Sequence, residues 1–308
     1  MNKNNHYFYH ILLLTLALAC HTLQRYFGFG LHSQIIFFLA IVLSIGLFHG
    51  MLDIILLQNK PFQQPQFLPV YAALVLGACL LLALFSAAAL IVLLLLSVWH
   101  FGEQQGEIQG EQQGKPTSLQ PIIKRFILGA NALSAAFLLG GSDIAVILTT
   151  VLNQSTFLNG FNWLQMTWQL WRTLSMLWLL AFAAYLLLLI FRQQLQTFYV
   201  DLFEIVVVWL AFLLLPPLLA FSLYFGAYHA LRHIRDVLPN LQALKTHDAV
   251  LGLVVAASAG LLLLIATQYT NWLQTFSVSA LLQTTIILLV AVTLPHTILI
   301  SLWRKNLS

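Results

Sequence analysis

The chain carries very little charge. Of its 308 residues, only 7% are Asp, Glu, Lys or Arg, whereas 60% are hydrophobic. A soluble domain is charged at roughly a quarter of its positions, so this chain cannot cover itself with a surface suited to water. The shortage of charge therefore predicts an integral membrane protein whose solvent is the lipid bilayer.

Other sparse features exclude further classes of protein. The 13 Lys and Arg residues are scattered among short connectors and form no stripe, which argues against nucleic-acid binding despite a net charge of +4. The two cysteines, Cys20 and Cys79, both lie in apolar runs without a CxxC pair, so we predict no disulfide framework. No HExxH sequence is present, which leaves an intramembrane zinc protease unsupported.

Long apolar runs dominate what remains. A membrane-spanning helix needs about 20 apolar residues, and the sequence predicts an all-α, polytopic protein with about ten transmembrane helices. The predicted spans are 7–27, 35–57, 68–86, 87–103, 122–150, 165–191, 201–217, 219–237, 249–268 and 280–303. We predict one transmembrane domain over residues 1–308, with a mobile polar loop near 103–121. Whether 122–150 is one helix or two stays open, because it contains two adjacent glycines.

The distribution of Lys and Arg predicts the orientation of the spans. If the N-terminus is cytoplasmic, every cytoplasmic connector carries Lys or Arg, whereas the connectors near 151–164 and 269–279 carry neither. We therefore expect both termini in the cytoplasm of a multi-pass protein of a bacterial or archaeal inner membrane. Every even-numbered span then runs from the outer side to the inner side.

Five histidines fall in the later parts of these even-numbered spans: His49, His100, His229, His233 and His296. They should lie at one depth near the cytoplasmic face, although the topology was derived from Lys and Arg alone. His229 and His233 are four residues apart, so they share one face of a helix. Imidazoles from four helices at one depth predict an intramembrane site for Fe, Cu, Zn or Ni. The alternative is that each histidine is a hydrogen-bonded core residue.

Other polar residues around these spans receive different predictions. Asp53 lies four residues after His49 and is expected to accept the second N–H of a metal-binding imidazole. Glu103 either does the same or begins its loop. Glu204 is predicted on the outer side, far from the histidines, with no role, and Arg232 either pairs with Asp53 or extends to the lipid head groups. The histidines predicted to be interfacial are His6, His10, His21, His32 and His247.

Four ordered sequence blocks resemble the signature blocks of the Brp/Blh family of bacterial and archaeal membrane β-carotene 15,15′-dioxygenases. They are FHGMLD from Phe48, WHFG from Trp99, YFGAYHALRH from Tyr224 and LPH from Leu294. Phe203-Glu204 and Pro216-Pro217 are similar to the family too, so the resemblance spans nearly the whole chain.

The resemblance implies a nonhaem Fe(II) enzyme that splits the central double bond of β-carotene with O₂ and yields retinal. It implies His49, His100, His229 and His233 as iron ligands, and it leaves His296 as a fifth ligand or as a residue that supports the others. Several residues depart from the family pattern without removing a ligand, so a related carotenoid stays open as the substrate. The departures are Phe48, Gln105, Ala230, Leu231, Thr297 and Ser301.

Aromatic residues next to the histidines are candidates for the wall of a tunnel that holds the polyene, with ordinary helix packing as the alternative for each. They are Trp99, Phe101, Tyr224, Phe225 and Tyr228. The expected partners are a carotenoid taken from the bilayer, O₂ and membrane lipids.

Two other functions stay open from the residues alone. HALRH resembles one HxxxH box of a di-iron membrane hydroxylase or desaturase, but no further boxes are present. Intramembrane His and Asp also occur in transporters that move protons. A retinal-binding photoreceptor is disfavoured, because a Schiff base needs a buried lysine and every Lys falls outside the predicted spans or at their ends.

Overall fold

The computed structural model describes residues 4–46, 49–50, 52, 67–84, 86–106, 119–152, 163–237, 289 and 291–302. All regular structure in these ranges is helical, and they contain no strand, which confirms the all-α prediction. The α-helices are α1 (Asn4–Phe27), α2 (Leu31–Ile41), α3 (Phe67–Leu84), α4 (Ser86–Gly106), α5 (Leu119–Gly129), α6 (Asn131–Leu139), α7 (Gly141–Leu152), α8 (Trp163–Phe191), α9 (Leu195–Leu214), α10 (Pro217–Leu223), α11 (Leu231–Val237) and α12 (Ala291–Leu302). Two π-helical segments are π1 (Val42–Gly46) and π2 (Tyr224–Ala230).

Within the described residues, four apolar helical stretches are long enough to cross a membrane. They are Tyr7–Phe27, Ile122–Leu139, Trp168–Phe191 and Leu195–Leu214. This finding supports the prediction of a membrane protein. The predicted span 249–268 lies outside the described residues, as do parts of the spans 35–57 and 280–303.

The chain forms two compact units. The first unit comprises Met1–Phe29, Leu94–Leu148 and Gly160–Tyr228, and the second comprises Gly30–Leu93, Thr149–Asn159 and His229–Ser308. The predicted single domain over 1–308 stays a prediction.

Helix α9 is central to the first unit, where it packs against α1, α6, α8 and α10. Indole rings anchor this packing: Trp178 and Trp209 stack with their centroids 5.8 Å apart. Trp178 Nε1 donates to the carbonyl oxygen of Ile127 at 2.8 Å, and Trp209 Nε1 donates to Asn131 Oδ1 at 3.0 Å. Each indole thus satisfies its single donor, and Trp178 also buries its ring.

The segment predicted as 122–150 contains more breaks than expected. It belongs to three helices, α5, α6 and α7, which are separated at Ala130 and Gly140. Gly141 has a φ of +50°, a backbone conformation that glycine adopts without strain. The paired glycines therefore do end a helix, and the additional break at Ala130 directly follows another glycine, Gly129, where α5 ends.

The polar stretch predicted near 103–121 is shorter than expected at both ends. Helix α4 continues through Gly106, and α5 already begins at Leu119. Residues 107–118 lie outside the described residues, and the predicted mobility of this loop stays a prediction.

Candidate metal centre

Four buried imidazoles lie together in the second unit. The ring centroid of His49 is 5.1 Å from that of His229, 4.5 Å from that of His233 and 4.6 Å from that of His296. The His233 and His296 centroids are 5.5 Å apart. None of the four residues is more than 5% exposed. His49 is thus the ring that the other three share.

Three of these residues present potential ligand atoms to one point. One ring nitrogen from each of His49, His233 and His296 lies within 4.8 Å of the other two. All are imidazole nitrogens, which suit Fe, Cu, Zn and Ni and do not suit Mg or Ca. The donor set therefore fits a transition metal, and His296 belongs to it by position as well as His49 and His233.

Both π-helical segments adjoin histidines of this cluster. π1 ends at Gly46, three residues before His49, and π2 contains His229 itself. A π-turn inserts an extra residue into a helix and is frequent at functional sites. Its effect here is to change the direction in which the following side chains point. The i, i+4 spacing of His229 and His233 therefore starts in π2 and ends in α11, rather than lying in one regular helix.

His100 belongs to the first unit, where it is 3% exposed on α4. Glycines bring α4 very close to α5 beside it. A Cβ atom on Gly102 would clash with the carbonyl oxygen of Arg125, and one on Gly129 would clash with that of Val98. Because only glycine allows backbones to approach so closely, Gly102 fixes the position of the turn that carries His100. Its role as a ligand stays a prediction.

The carboxylates that were expected to support the histidines have different outcomes. Asp53 lies outside the described residues. Glu103 is half-buried within α4, so it does not begin a loop. Arg232 is 3% exposed, which places its side chain inside the protein rather than among lipid head groups.

The candidate tunnel residues make different aromatic contacts. Phe101 contacts Tyr224 edge-on with centroids 5.5 Å apart, and Tyr224 stacks on Tyr228 at 5.5 Å. These three residues form a buried aromatic row. Trp99 instead packs against Phe126, and Phe225 stacks on Phe221.

We predicted Glu204 far from the histidines, but it lies close to the stretch that carries His229. Its Oε2 is 4.0 Å from Nε2 of His10, and the same nitrogen is 3.2 Å from the hydroxyl of Tyr228, next to His229. Helices α9 and α10 form an antiparallel hairpin at Pro216, and Glu204 and Tyr228 are equally far along the chain from that turn. The hairpin therefore places them at one level, so the prediction that Glu204 lies far from the histidines is wrong. The predicted outer side did not follow from the predicted topology, in which 201–217 is the seventh span and begins in the cytoplasm.

His10 is also more buried than its predicted interfacial position implied. It is 1% exposed, and the rings of Phe203 and Tyr228 lie 5.3 and 5.0 Å from its own. The burial of His10 could have been inferred from its spacing relative to apolar residues of the same helix. His10, Leu13, Ala17 and His21 recur on one helical face, and the first three are fully buried.

A second buried polar cluster in the first unit contains charged residues. Lys124 Nζ lies 3.3 Å from Asp201 Oδ1, and the hydroxyl of Tyr185 donates to Asp201 Oδ2 at 2.7 Å. All three residues are buried, with Lys124 the most exposed at 8%. The sequence pattern did not reveal this pairing, because its members come from α5, α8 and α9.

Comparison with known proteins identifies the family. A family model described as Beta-carotene 15,15'-dioxygenase matches residues 40–304. No match was found among curated proteins, and none among solved structures. The matched region includes all five histidines of the sequence blocks and begins after α1. The chain therefore belongs to the beta-carotene 15,15'-dioxygenase family of oxidoreductases.

Proposed function

We propose that this enzyme cleaves β-carotene, or a closely related carotenoid, at the 15,15′ double bond and yields retinal, with Fe(II) as its metal. The cluster of buried imidazoles around His49 carries the proposal. His49, His229 and His233 are the proposed ligands within the second unit, joined by His100 from α4. His296 is the proposed fifth ligand, because its ring nitrogen lies in the same group as those of His49 and His233.

The chemistry of the donor set supports iron among the possible metals. Neutral imidazoles add no negative charge, so a divalent ion keeps its Lewis acidity and its redox activity. Bound Fe(II) would supply the one-electron chemistry with O₂ that amino-acid side chains lack. Asp53 is a further candidate for holding one of the imidazoles by its second N–H.

The reaction itself requires little acid–base chemistry from the protein. Cleavage breaks one carbon–carbon double bond, and each of its two carbons receives one oxygen atom of O₂, so no proton is gained or lost overall. The protein must instead exclude water, admit O₂ and hold one bond of the polyene at the site. The buried aromatic row of Phe101, Tyr224 and Tyr228 is the proposed wall for that purpose.

The proposed setting is a ten-span protein of the cell membrane with both termini cytoplasmic. Contacts inside the first unit support the alternation of its spans. His10 near the start of α1 meets Glu204 near the start of α9 and Tyr228 near the end of π2. At the other end of α1, His21 Nδ1 lies 2.6 Å from the carbonyl oxygen of Leu214 at the end of α9. Helices α1 and α9 therefore run in the same direction, as the charge-derived topology requires.

The charged group supports the same alternation. Lys124 lies near the start of α5, Tyr185 near the end of α8 and Asp201 near the start of α9, yet the three are in contact. Adjacent helix ends at one level are expected when successive spans alternate in direction. A substrate that dissolves in the bilayer could then enter such a site sideways from the lipid.

Expression in cells that make β-carotene tests this function. We expect retinal as the product by chromatography, and at least about a 100-fold loss with His229→Ala, since even residues that only support a ligand change activity 10–100-fold. His21→Ala is the matched control, because its imidazole contacts a backbone carbonyl rather than another histidine.

Two results would count against the proposal. Intact β-carotene beside folded, iron-loaded protein would contradict carotenoid cleavage. Two iron ions per chain by elemental analysis would instead favour a di-iron hydroxylase. Cleavage products other than retinal would still indicate a carotenoid oxygenase, but one that cleaves a different double bond.

A further inference from the structure

Helix α1 is attached to the α9–α10 hairpin by two histidines. His10 meets Glu204 and Tyr228, and about three helical turns later His21 meets the carbonyl oxygen of Leu214. Both histidines lie on the face of α1 that packs against the hairpin. The two histidines contact different parts of the hairpin. His21 contacts the end of α9, whereas His10 contacts the segment that carries His229.

His10 occupies a confined position. Its ring lies between Phe203, at 5.3 Å, and Tyr228, at 5.0 Å, and the residue is 1% exposed. Glu204, also 1% exposed, faces the same ring nitrogen that meets the Tyr228 hydroxyl. A buried carboxyl group is costly in a membrane protein unless a polar group faces it. One imidazole nitrogen thus links α1, α9 and π2.

Tyr228 adjoins a proposed metal ligand along the chain. It directly precedes His229 inside π2, and its ring stacks on Tyr224 with an interplanar angle of 23°. In a π-turn the side-chain directions depart from those of a regular helix, so the packing of neighbouring residues matters for where His229 points. Holding Tyr228 against α1 restricts the rotation of the whole turn.

We propose that His10 is a positioning residue that acts through Tyr228 to orient the His229 imidazole toward the metal. The inference rests on the proposed function, because it assumes that His229 binds a metal. It makes α1 part of the active-site scaffold, even though the family match begins at residue 40.

Metal titration of the purified full-length protein tests the role directly. With His10→Ala we expect Fe(II) affinity and kcat each to fall about tenfold, with KM for β-carotene unchanged within about twofold. The visible absorption spectrum of the Co(II)-substituted protein should shift. His10→Gln, whose amide can reach the same hydroxyl, should restore most of the affinity. Tyr228→Phe should reproduce the loss, and the double variant should lose no more than either single variant.

His21→Ala is the matched control, since it removes the other attachment of the same helix. We expect a lower thermal midpoint with Fe(II) affinity and the Co(II) spectrum of the folded protein unchanged. If His10→Ala does not fold, His10→Ala combined with Glu204→Gln removes the buried carboxylate and permits the same measurements.

The outcomes separate the two proposals. Wild-type protein that binds Fe(II) and makes retinal, with His10→Ala indistinguishable from His21→Ala, would overturn the positioning role alone. Wild-type protein that binds no Fe(II) would overturn both the proposed function and the role of His10.

Discussion

Two buried polar clusters among the described residues are built from opposite kinds of residue. In the first unit, Lys124 and Tyr185 surround Asp201, so a cation and a hydroxyl donor face a carboxylate. In the second unit, His49 is surrounded by three further imidazoles, with ring centroids 4.5 to 5.1 Å away. The first cluster contains complementary partners. The second brings together groups of one kind that all prefer to bind the same type of ion.

This difference separates a structural cluster from a candidate functional one. A charge pair with a hydroxyl donor satisfies its members when the protein folds and needs no ligand. Clustered imidazoles gain most when a metal accepts their lone pairs. Disturbing the first cluster should therefore cost stability, whereas disturbing the second should cost metal binding and activity.

Breaking the charged cluster should have the largest effect. Lys124→Met leaves Asp201 buried with its charge uncompensated, and we expect a loss of about 3–5 kcal/mol in the free energy of unfolding. Unfolding of purified protein in mixed detergent and SDS micelles would measure it. Lys124→Met combined with Asp201→Leu should recover most of the loss, because no unpaired charge remains. Iron content of the folded fraction should be unchanged, and a loss of iron there would contradict the structural assignment.

Removing one imidazole should show the reverse pattern. With His233→Ala we expect at least about a 100-fold loss of retinal formation, equal to about 2.7 kcal/mol of transition-state stabilisation. The iron-to-protein ratio should fall, and the unfolding free energy of metal-free protein should change little. The control is a comparison of the stabilities of metal-free wild-type and variant proteins. If the iron-loaded wild-type and variant proteins had equal iron content, His233 would be removed from the proposed ligand set.

Much of the helical architecture could be predicted because the hydrophobic runs are long. Helices α1, α8 and α9 lie where apolar composition placed them, and the break at Gly140 follows from glycine. The break at Ala130 was not predicted, although the adjacent Gly129 is a poor helix former. The π-helical segments were missed for a different reason. One inserted residue changes the direction of the following side chains without changing composition.

The site was partly predictable for a different reason. His49, His229, His233 and His296 were predicted at one depth from their matching positions in even-numbered predicted spans, and their rings do lie close together. Glu204 was misplaced by an error of direction, because the seventh predicted span begins on the cytoplasmic side. His10 was misplaced because spacing along one helix does not reveal which helix it faces. Their contact depends on how α1 packs on α9, and this packing is a property of three-dimensional structure that no local pattern contains.

The glycines beside the two clusters differ in how much space they have, and the tighter one should have the larger effect. A Cβ on Gly102 would overlap the Arg125 backbone, next to Lys124. Because backbone cannot rotate away as a side chain can, we expect Gly102→Ala to cost about 1–3 kcal/mol of stability by forcing α4 from α5. Thermal unfolding would measure this loss. Gly77→Ala on α3 is a suitable control, since no described atom lies within 4 Å of the position of its Cβ.

Gly50, next to His49, should tolerate the same change. The nearest described atom to its Cβ position is Val292 Cγ1 at 3.7 Å, an ordinary van der Waals distance. The added methyl group would contact Val292, and alanine is favoured over glycine within a helix by up to about 1 kcal/mol. We therefore expect Gly50→Ala to leave stability unchanged or raised by less than about 1 kcal/mol, with iron content and retinal formation unaltered. A marked loss of iron with stability retained would show that the surroundings of His49 are as tightly packed as those of Gly102, and that the two clusters differ in chemistry but not in rigidity.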